Sequence, residues 1–446
     1  PWELFDWRET DAEAALRALF EANRARPFDL RRPPLLRLQL AQVAEERHVM
    51  VICHHHIILD GWSQARMLRD LMSFYRGDAS LPPARPYADY IRWLKRQDKT
   101  AALGFWNEYQ AGSPGPSLVF GGAGERPEFV RREWAFPDAL AQGASRFCAA
   151  QGVTLNTLLQ GALGLYAAEA LGRTDVVFGS ATAGRPAGLP GVAEMVGLFI
   201  NALPVRVKLD PTRPVADWLR DLQSRQAAAI EHEHVALREV QTGRGTLFDC
   251  LLVIENYPVT TGGGGGDIAL DRVEFDEWTH FPLTILVAPG HAGMKLILRH
   301  DRSVLSDDAL GRFTERYVAL LEAITADPAA PVADLVGPLE EAAPQAPAAH
   351  AVGAARPPET ETERRLAALW AELLKGGAPM AGDNFFAIGG HSLMAAKLVA
   401  RLRRELDLDL PVRAIFDRPV LSDLAEYLDA LQVGGAPAEG DMVVEF

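Results

Sequence analysis

The chain has 446 residues, 48% of them hydrophobic and 23% charged, with a formal net charge of −14. That length exceeds one ordinary core and predicts two or three compact units. The acid excess argues against a general binder of nucleic acid or anionic membrane, because neutralising phosphates takes Lys and Arg in surplus. No apolar run approaches the roughly 20 residues needed to span a bilayer. The opening stretch Pro1-Trp-Glu-Leu-Phe-Asp-Trp7 lacks the basic and apolar regions of a secretory signal. Cys53, Cys148 and Cys250 are far apart and lack CxxC spacing, so neither a disulfide framework nor a zinc site is expected. These features point to the cytoplasm. Residue 1 is Pro and not Met, so the natural chain is expected to begin further upstream.

In chain order, the segments His48–Ile58, Val176–Ser180, Leu203–Leu209, Leu247–Ile254 and Leu283–Val287 read as strands. Between them, Asp11–Asn23, Gln64–Tyr75, Leu155–Leu171 and Asp307–Ile324 carry apolar residues at helical spacing. That alternation predicts a mixed α/β architecture. The glycine run Gly262–Gly266 has no following Lys-Ser/Thr pair, and it reads as a surface loop and not a phosphate cradle. Residues 341–357 are Ala/Pro-rich without core periodicity, and they read as a linker. Beyond it the pattern is wholly helical: Glu361–Leu374, Ser392–Leu406 and Leu421–Leu431, with Pro411–Phe416 as a short fourth helix. About 75 residues suffice for such an independent bundle. The tail over 433–446 is poor in core residues.

The run Val49–Ile52 leads into Cys53-His54-His55-His56-Ile57-Ile58-Leu59-Asp60-Gly61-Trp62-Ser63. Ser63 is placed to cap the following helix, whose Met67, Leu68, Leu71 and Met72 share one face. His56 then sits near a strand end, ahead of a tight turn at Asp60-Gly61, where catalytic residues gain a rigid support. Three readings compete. As metal ligands only His54 and His56 point the same way on a strand, and no His/Cys/Asp cluster accompanies them. As core histidines, one or two bridge backbone groups, which suits His55. As a general base, a neutral imidazole suits proton removal from an attacking amine or alcohol.

His55-His56-x-x-x-Asp60-Gly61 resembles the active-site signature of nonribosomal peptide synthetase condensation domains, which share the chloramphenicol acetyltransferase fold. Further segments resemble that family's later motifs in the family's order: Tyr87–Trp93, Met195–Arg206, Glu231–Gln241 and Phe248–Pro258. The resemblance implies a two-lobed α/β domain, with residues 1–110 as the remainder of the first lobe and 111–340 as the second. The family's first two motifs lie upstream of the histidines, so the first lobe is expected to be incomplete. An arginine that usually pairs with the motif aspartate is expected to have gone with it, leaving Arg185 as the candidate partner of Asp60. The resemblance also implies that His56 is the base or the group orienting the amine, that Gly61 and the helix start polarise the carbonyl, and that Asp60 locks the loop.

Asp383-Asn-Phe-Phe-Ala-Ile-Gly-Gly-His-Ser-Leu-Met394 precedes an amphipathic helix with Ser392 at its start. Free N–H groups and the helix dipole there favour a phosphate ester, and Gly389 and Gly390 leave the approach open. An ordinary N-cap serine would occupy the same place without any chemistry. The segment closely resembles peptidyl carrier proteins, which implies 4'-phosphopantetheine on Ser392 and a four-helix carrier over 358–432, with Phe385, Phe386, Leu398 and Leu402 in its core.

Together the resemblances imply amide-bond formation between an upstream carrier's acyl donor and the amine on this chain's own carrier. Implied partners are that donor carrier, a phosphopantetheinyl transferase and an adenylation domain or enzyme; since no adenylation domain is encoded between 340 and 358, either loading occurs in trans or the junction is engineered. An epimerisation domain shares the histidine signature but normally follows its carrier, and a non-catalytic recruitment domain usually loses the second histidine or the glycine. A cyclisation domain would carry aspartates in place of the histidines. Leu59–Ser63, Ala183–Pro186, Glu231–His234, Glu255–Pro258 and Thr279–Leu283 resemble the subtype whose donors end in a D residue.

Overall fold

A computed structural model describes most of residues 2–337 and 356–432. Outside the described residues lie 1, 78–80, 82, 122–126, 242–244, 256–276, 278, 291–292, 338, 340–355, 375–378, 384, 386–391, 407–409, 411–413, 416–417, 419 and 433–446. The glycine run, nearly all of the linker, the tail, Phe386, Gly389, Gly390 and most of the expected short helix 411–416 therefore fall outside, although Ala414 and Ile415 are helical.

The first unit contains β1 (Trp2–Asp6), α1 (Ala12–Arg24), β2 (Leu36–Ala44), β3 (Arg47–His54) and α2 (Gly61–Tyr75), and it is followed by α3 (Tyr87–Leu94) and α4 (Lys99–Gln110), whose buried Tyr90, Ala102 and Trp106 pack with residues further along the chain such as Phe199, Leu203 and Val240. Its sheet has the order β1-β2-β3, with β1 parallel and β3 antiparallel to β2. On β2 the deeply buried positions are Arg37, Gln39 and Ala41. The two polar side chains are accommodated because Arg37 Nη1 donates to the Asn23 carboxamide oxygen at 3.2 Å and Gln39 Nε2 donates to Glu3 at 2.7 Å.

The second unit contains β4 (Phe129–Ala135), α5 (Asp138–Gln151), α6 (Leu155–Leu171), β5 (Asp175–Thr182), β6 (Asn201–Lys208), α7 (Val215–Ile230), α8 (Leu237–Val240), β7 (Cys250–Ile254), β8 (Leu283–Gly290), β9 (Gly293–Asp301) and α9 (Asp307–Ala326). Its six-stranded sheet runs β4-β9-β8-β7-β5-β6, with the β5–β7–β8 centre parallel and the flanks antiparallel. Helix α6 is apolar around its whole circumference and is buried from Thr157 to Ala168 apart from Tyr166. It fits there because Gly161 and Gly164 let Leu219 and Val207 approach closely. Strand β7 begins three residues later than the apolar run from Leu247, because Asp249 turns inward to accept the N–H groups of Val119 and Phe120.

The helical unit comprises α10 (Glu361–Leu374), α11 (Ser392–Leu406) and α12 (Leu421–Gln432). Its core includes Leu366, Trp370, Phe385, Leu398, Leu402 and Leu428, each at most 2% exposed. A capping box opens α10: Thr360 Oγ1 accepts from Glu363 N at 3.0 Å, and the Glu363 carboxylate accepts from Thr360 N at 3.0 Å. With Arg356 also bound, that carboxyl is held down at about 2.

A buried ion pair crosses between the first two units. Asp60 and Arg185 are 3.1 Å apart, with side chains 3% and 6% exposed. Asp60 also accepts from Ser63 N at 2.8 Å and Phe199 N at 3.0 Å, so both of its oxygens are occupied. Removing one partner strands the other charge in a dry site, which costs about 3–5 kcal/mol. Asp60→Ala should therefore lower the unfolding free energy from urea titration by that amount. His56→Ala, on an exposed turn, should cost roughly 0.5 kcal/mol or less. Equal destabilisation by the two substitutions would remove the pair from its structural role.

Candidate active site

The expected strand over His48–Ile58 ends at His54, and His56–Ile58 form a single 3-10 turn instead. The cause is local. His55 is the N-cap of that turn, and its Nδ1 accepts from Ile57 N at 3.1 Å, which diverts the backbone from the sheet. Strand alternation therefore does not set the contrast between His55 and His56; capping does. His55 is half-buried and bound to its own turn, whereas His56 is exposed and its ring has no hydrogen bond among the described residues.

The expected cap also changes identity. Asp60, and not Ser63, is the N-cap of α2, and Gly61 is the helix's first residue, with no separate tight turn. Asp60 is the better acceptor because its carboxylate carries full charge at a helix start. Ser63 spends its hydroxyl across the junction: Oγ donates to the Gly197 carbonyl at 2.9 Å and accepts from Gly197 N at 3.0 Å. The apolar residues Met67, Leu68, Leu71 and Met72 line the same helix and are all half-buried.

Arg185 reaches Asp60 from the segment after β5. Its Nη1 donates to the carbonyls of Val192 at 2.6 Å and Met195 at 3.1 Å. The guanidinium lies 3.9 Å over the Phe199 ring and 5.6 Å from the Trp62 ring, which is cation–π geometry. Burial pulls its pKa down, and the Asp60 charge beside it offsets part of that pull. Trp62 Nε1 donates to the Ala193 carbonyl at 3.0 Å, adding a second tie. Asp60, Trp62, Ala181, Thr182, Ile200 and Val253 are among the residues lining a small cavity beside the pair.

Sequence reasoning missed a further polar group. Gln64 Nε2 lies 3.0 Å from His54 Nε2 and 2.9 Å from Glu277 Oε1. Burial keeps the His54 pKa below its ordinary value. No spacing rule links positions 213 residues apart, so this contact had no signal in the sequence.

Ser392 is the first residue of α11. The first-turn N–H groups of a helix have no intrahelical partners, and its dipole favours an anion, so this position fits a phosphodiester. The serine is far in sequence from the histidines.

The family model "Condensation domain" matches residues 2–344, and the model "Phosphopantetheine attachment site" matches residues 364–428. One of the linear gramicidin synthase proteins of Brevibacillus parabrevis is 36% identical over 352 residues, which is 75% of this chain and 7% of that protein. A surfactin synthase protein of Bacillus subtilis is 30% identical over 329 residues, 71% of this chain and 26% of that protein. The chain thus spans a small part of these relatives. Among solved structures, the first condensation domain of the CDA synthetase has a TM-score of 0.60 at 20% identity, covering 75% of this chain and 77% of that one. A holo four-domain nonribosomal peptide synthetase bound to AMP and glycine has a TM-score of 0.62 at 17% identity, covering 91% of this chain and 33% of that one. These two show the fold, which is the chloramphenicol acetyltransferase-like one expected. No helix among the described residues is long and apolar enough to cross a membrane. The chain belongs to the condensation-domain family of nonribosomal peptide synthetases, enzymes of amide-bond formation, and carries a phosphopantetheine attachment unit behind that domain.

Proposed function

We propose that this chain joins an acyl or peptidyl donor, delivered as a thioester by an upstream carrier, to the amine of an aminoacyl group held on its own carrier at Ser392. The observation that carries this reading is the state of His56. Its ring is exposed and unpartnered among the described residues, yet its turn is held by the His55 cap on one side and by the buried Asp60 on the other. An imidazole so placed is free to meet a substrate while its backbone cannot drift.

In this reading the amine nitrogen attacks the donor carbonyl carbon, the C–S bond breaks, and the donor carrier's thiol leaves. His56 accepts or orients the amine proton as the new C–N bond forms. The start of α2 at Gly61 presents backbone N–H groups to the developing oxyanion. Asp60 and Arg185 hold the turn and do not touch substrate. Holding both substrates in one site supplies much of the rate as effective concentration. The phosphopantetheine arm supplies a thiol that carries the aminoacyl group as a thioester. A phosphopantetheinyl transferase would install it, and an adenylation domain or enzyme would load it. The carrier would occupy residues 358–432, behind lobes over 1–110 and 111–340 and a linker over 341–357.

Intact-mass measurement after treatment with coenzyme A and a phosphopantetheinyl transferase should show one added arm, absent from Ser392→Ala. An arm on that variant would move the attachment site elsewhere. In a single-turnover assay, His56→Ala should lose amide formation by at least about a hundredfold, the usual worth of general acid–base help, while Ser392 still loads. Normal product formation by that variant would end the role given to His56.

The segments Leu59–Ser63, Ala183–Pro186 and Thr279–Leu283 resemble those of domains whose donors end in a D residue. Matched D and L donor thioesters on the upstream carrier should therefore give more amide from the D form. A preference for L would overturn this assignment and leave the rest standing.

A further inference from the structure

We propose that Gln64 and Glu277 are positioning residues for the His56 turn, acting through His54. The proposal rests on the reading of His56 above. A carboxylate oxygen only accepts, so it is the nitrogen of the Gln64 side chain that faces Glu277 Oε1 at 2.9 Å. That same nitrogen is 3.0 Å from His54 Nε2, so the ring nitrogen must be the acceptor. The imidazole proton then belongs on Nδ1, which lies 3.3 Å from the His55 carbonyl. That carbonyl also accepts from Ile58 N at 3.1 Å, the bond that closes the turn bearing His56.

The result is a continuous chain of hydrogen bonds from Glu277, ahead of β8 in the second unit, to the turn in the first. Its outer end is steadied by Arg299 on β9, 3.9 Å from the second Glu277 oxygen and 4% exposed. Its inner end shares a helix turn with the ion pair, since Gln64 N donates to the Asp60 carbonyl at 2.9 Å. The histidine turn is thus tied to the second unit on both of its sides. Arg185 holds Asp60, beyond the turn, and Glu277 holds His54, ahead of it. Burial lowers the His54 pKa and so favours the neutral ring, the form the bridge requires. A small separation of the two units would loosen the His55 carbonyl and with it the aim of His56.

Two readouts on the holo chain test this. In nitrogen-15 histidine spectra, His54 should be the neutral Nδ1–H tautomer. Gln64→Glu places an acceptor opposite Nε2, so the proton should move to Nε2 or the ring should become doubly protonated. In single-turnover amide formation, Gln64→Leu and Glu277→Ala should each slow the reaction about tenfold, the worth of one hydrogen bond in a transition state. The double variant should be no slower than the slower single one, because both cut the same chain. Loading of Ser392 should be unchanged. Unaltered His54 nitrogens in Gln64→Glu, or rate losses that multiply in the double variant, would overturn the bridge. A wild-type rate for His56→Ala would instead overturn the reading of His56, whatever the ring nitrogens show.

Discussion

The rest of the site depends on one buried charge pair. Asp60 and Arg185 are 125 residues apart in sequence and almost wholly withdrawn from water. Two charges in such a place are tolerable only if hydrogen bonds satisfy most of their lone pairs and N–H groups. Asp60 accepts from Ser63, Phe199 and Arg185, and Arg185 donates to Val192, Met195 and Ser63 as well. Close backbone approach makes this possible. Gly184 sits at a φ of +59°, and a Cβ there would stand 1.8 Å from the Phe199 carbonyl oxygen, so the segment before Arg185 has no room for a side chain. Gly197 lies against the Tyr87 ring, where a Cβ would come within 2.1 Å. The pair therefore requires these glycines, and the position of His56 requires the pair.

Most of the candidate site was legible because it is local. His55, His56, Asp60 and Gly61 lie within one short run, and Ser392 stands at the head of a helix whose apolar stripe is plain. The partner of Asp60 came from resemblance; no periodicity points to Arg185. The bridge through Gln64 and Glu277 was invisible for the same reason. Within the histidine run, alternation was the wrong rule, since a histidine that caps its own turn ends the strand one residue before the motif. Ser63 looked like a cap by residue type, but the carboxylate three positions earlier outcompetes a hydroxyl for the helix N–H groups.

The fold was legible where burial is complete and obscure where it is partial. Helix α6 and strand β5 are buried along most of their length and read clearly from their sequences. Strand β4 carries Arg131, Arg132 and Glu133, because it is an edge strand whose charges reach solvent and neighbouring charged side chains. Strand β2 alternates as a strand should, yet its most buried face holds Arg37 and Gln39 while Leu36, Leu38 and Leu40 are only half-buried. Hydrogen bonding inverted the usual polarity there, and no count of apolar residues would reveal it. In the carrier, the Thr360-x-x-Glu363 capping box is a sequence-level signal that marks the helix start where the structure has it.

In the proposed reaction the donor's acyl group ends on the arm of this same chain. The most direct measurement is the intact mass of the carrier region, after aminoacylation of Ser392 and exposure to a donor-loaded upstream carrier. The arm on Ser392 should gain the mass of the donor acyl group, less the proton it replaces, and the donor carrier should return to its free thiol. An unchanged mass on Ser392 while the donor carrier loses its acyl group to water, or growth of the chain on the donor carrier instead, would contradict it.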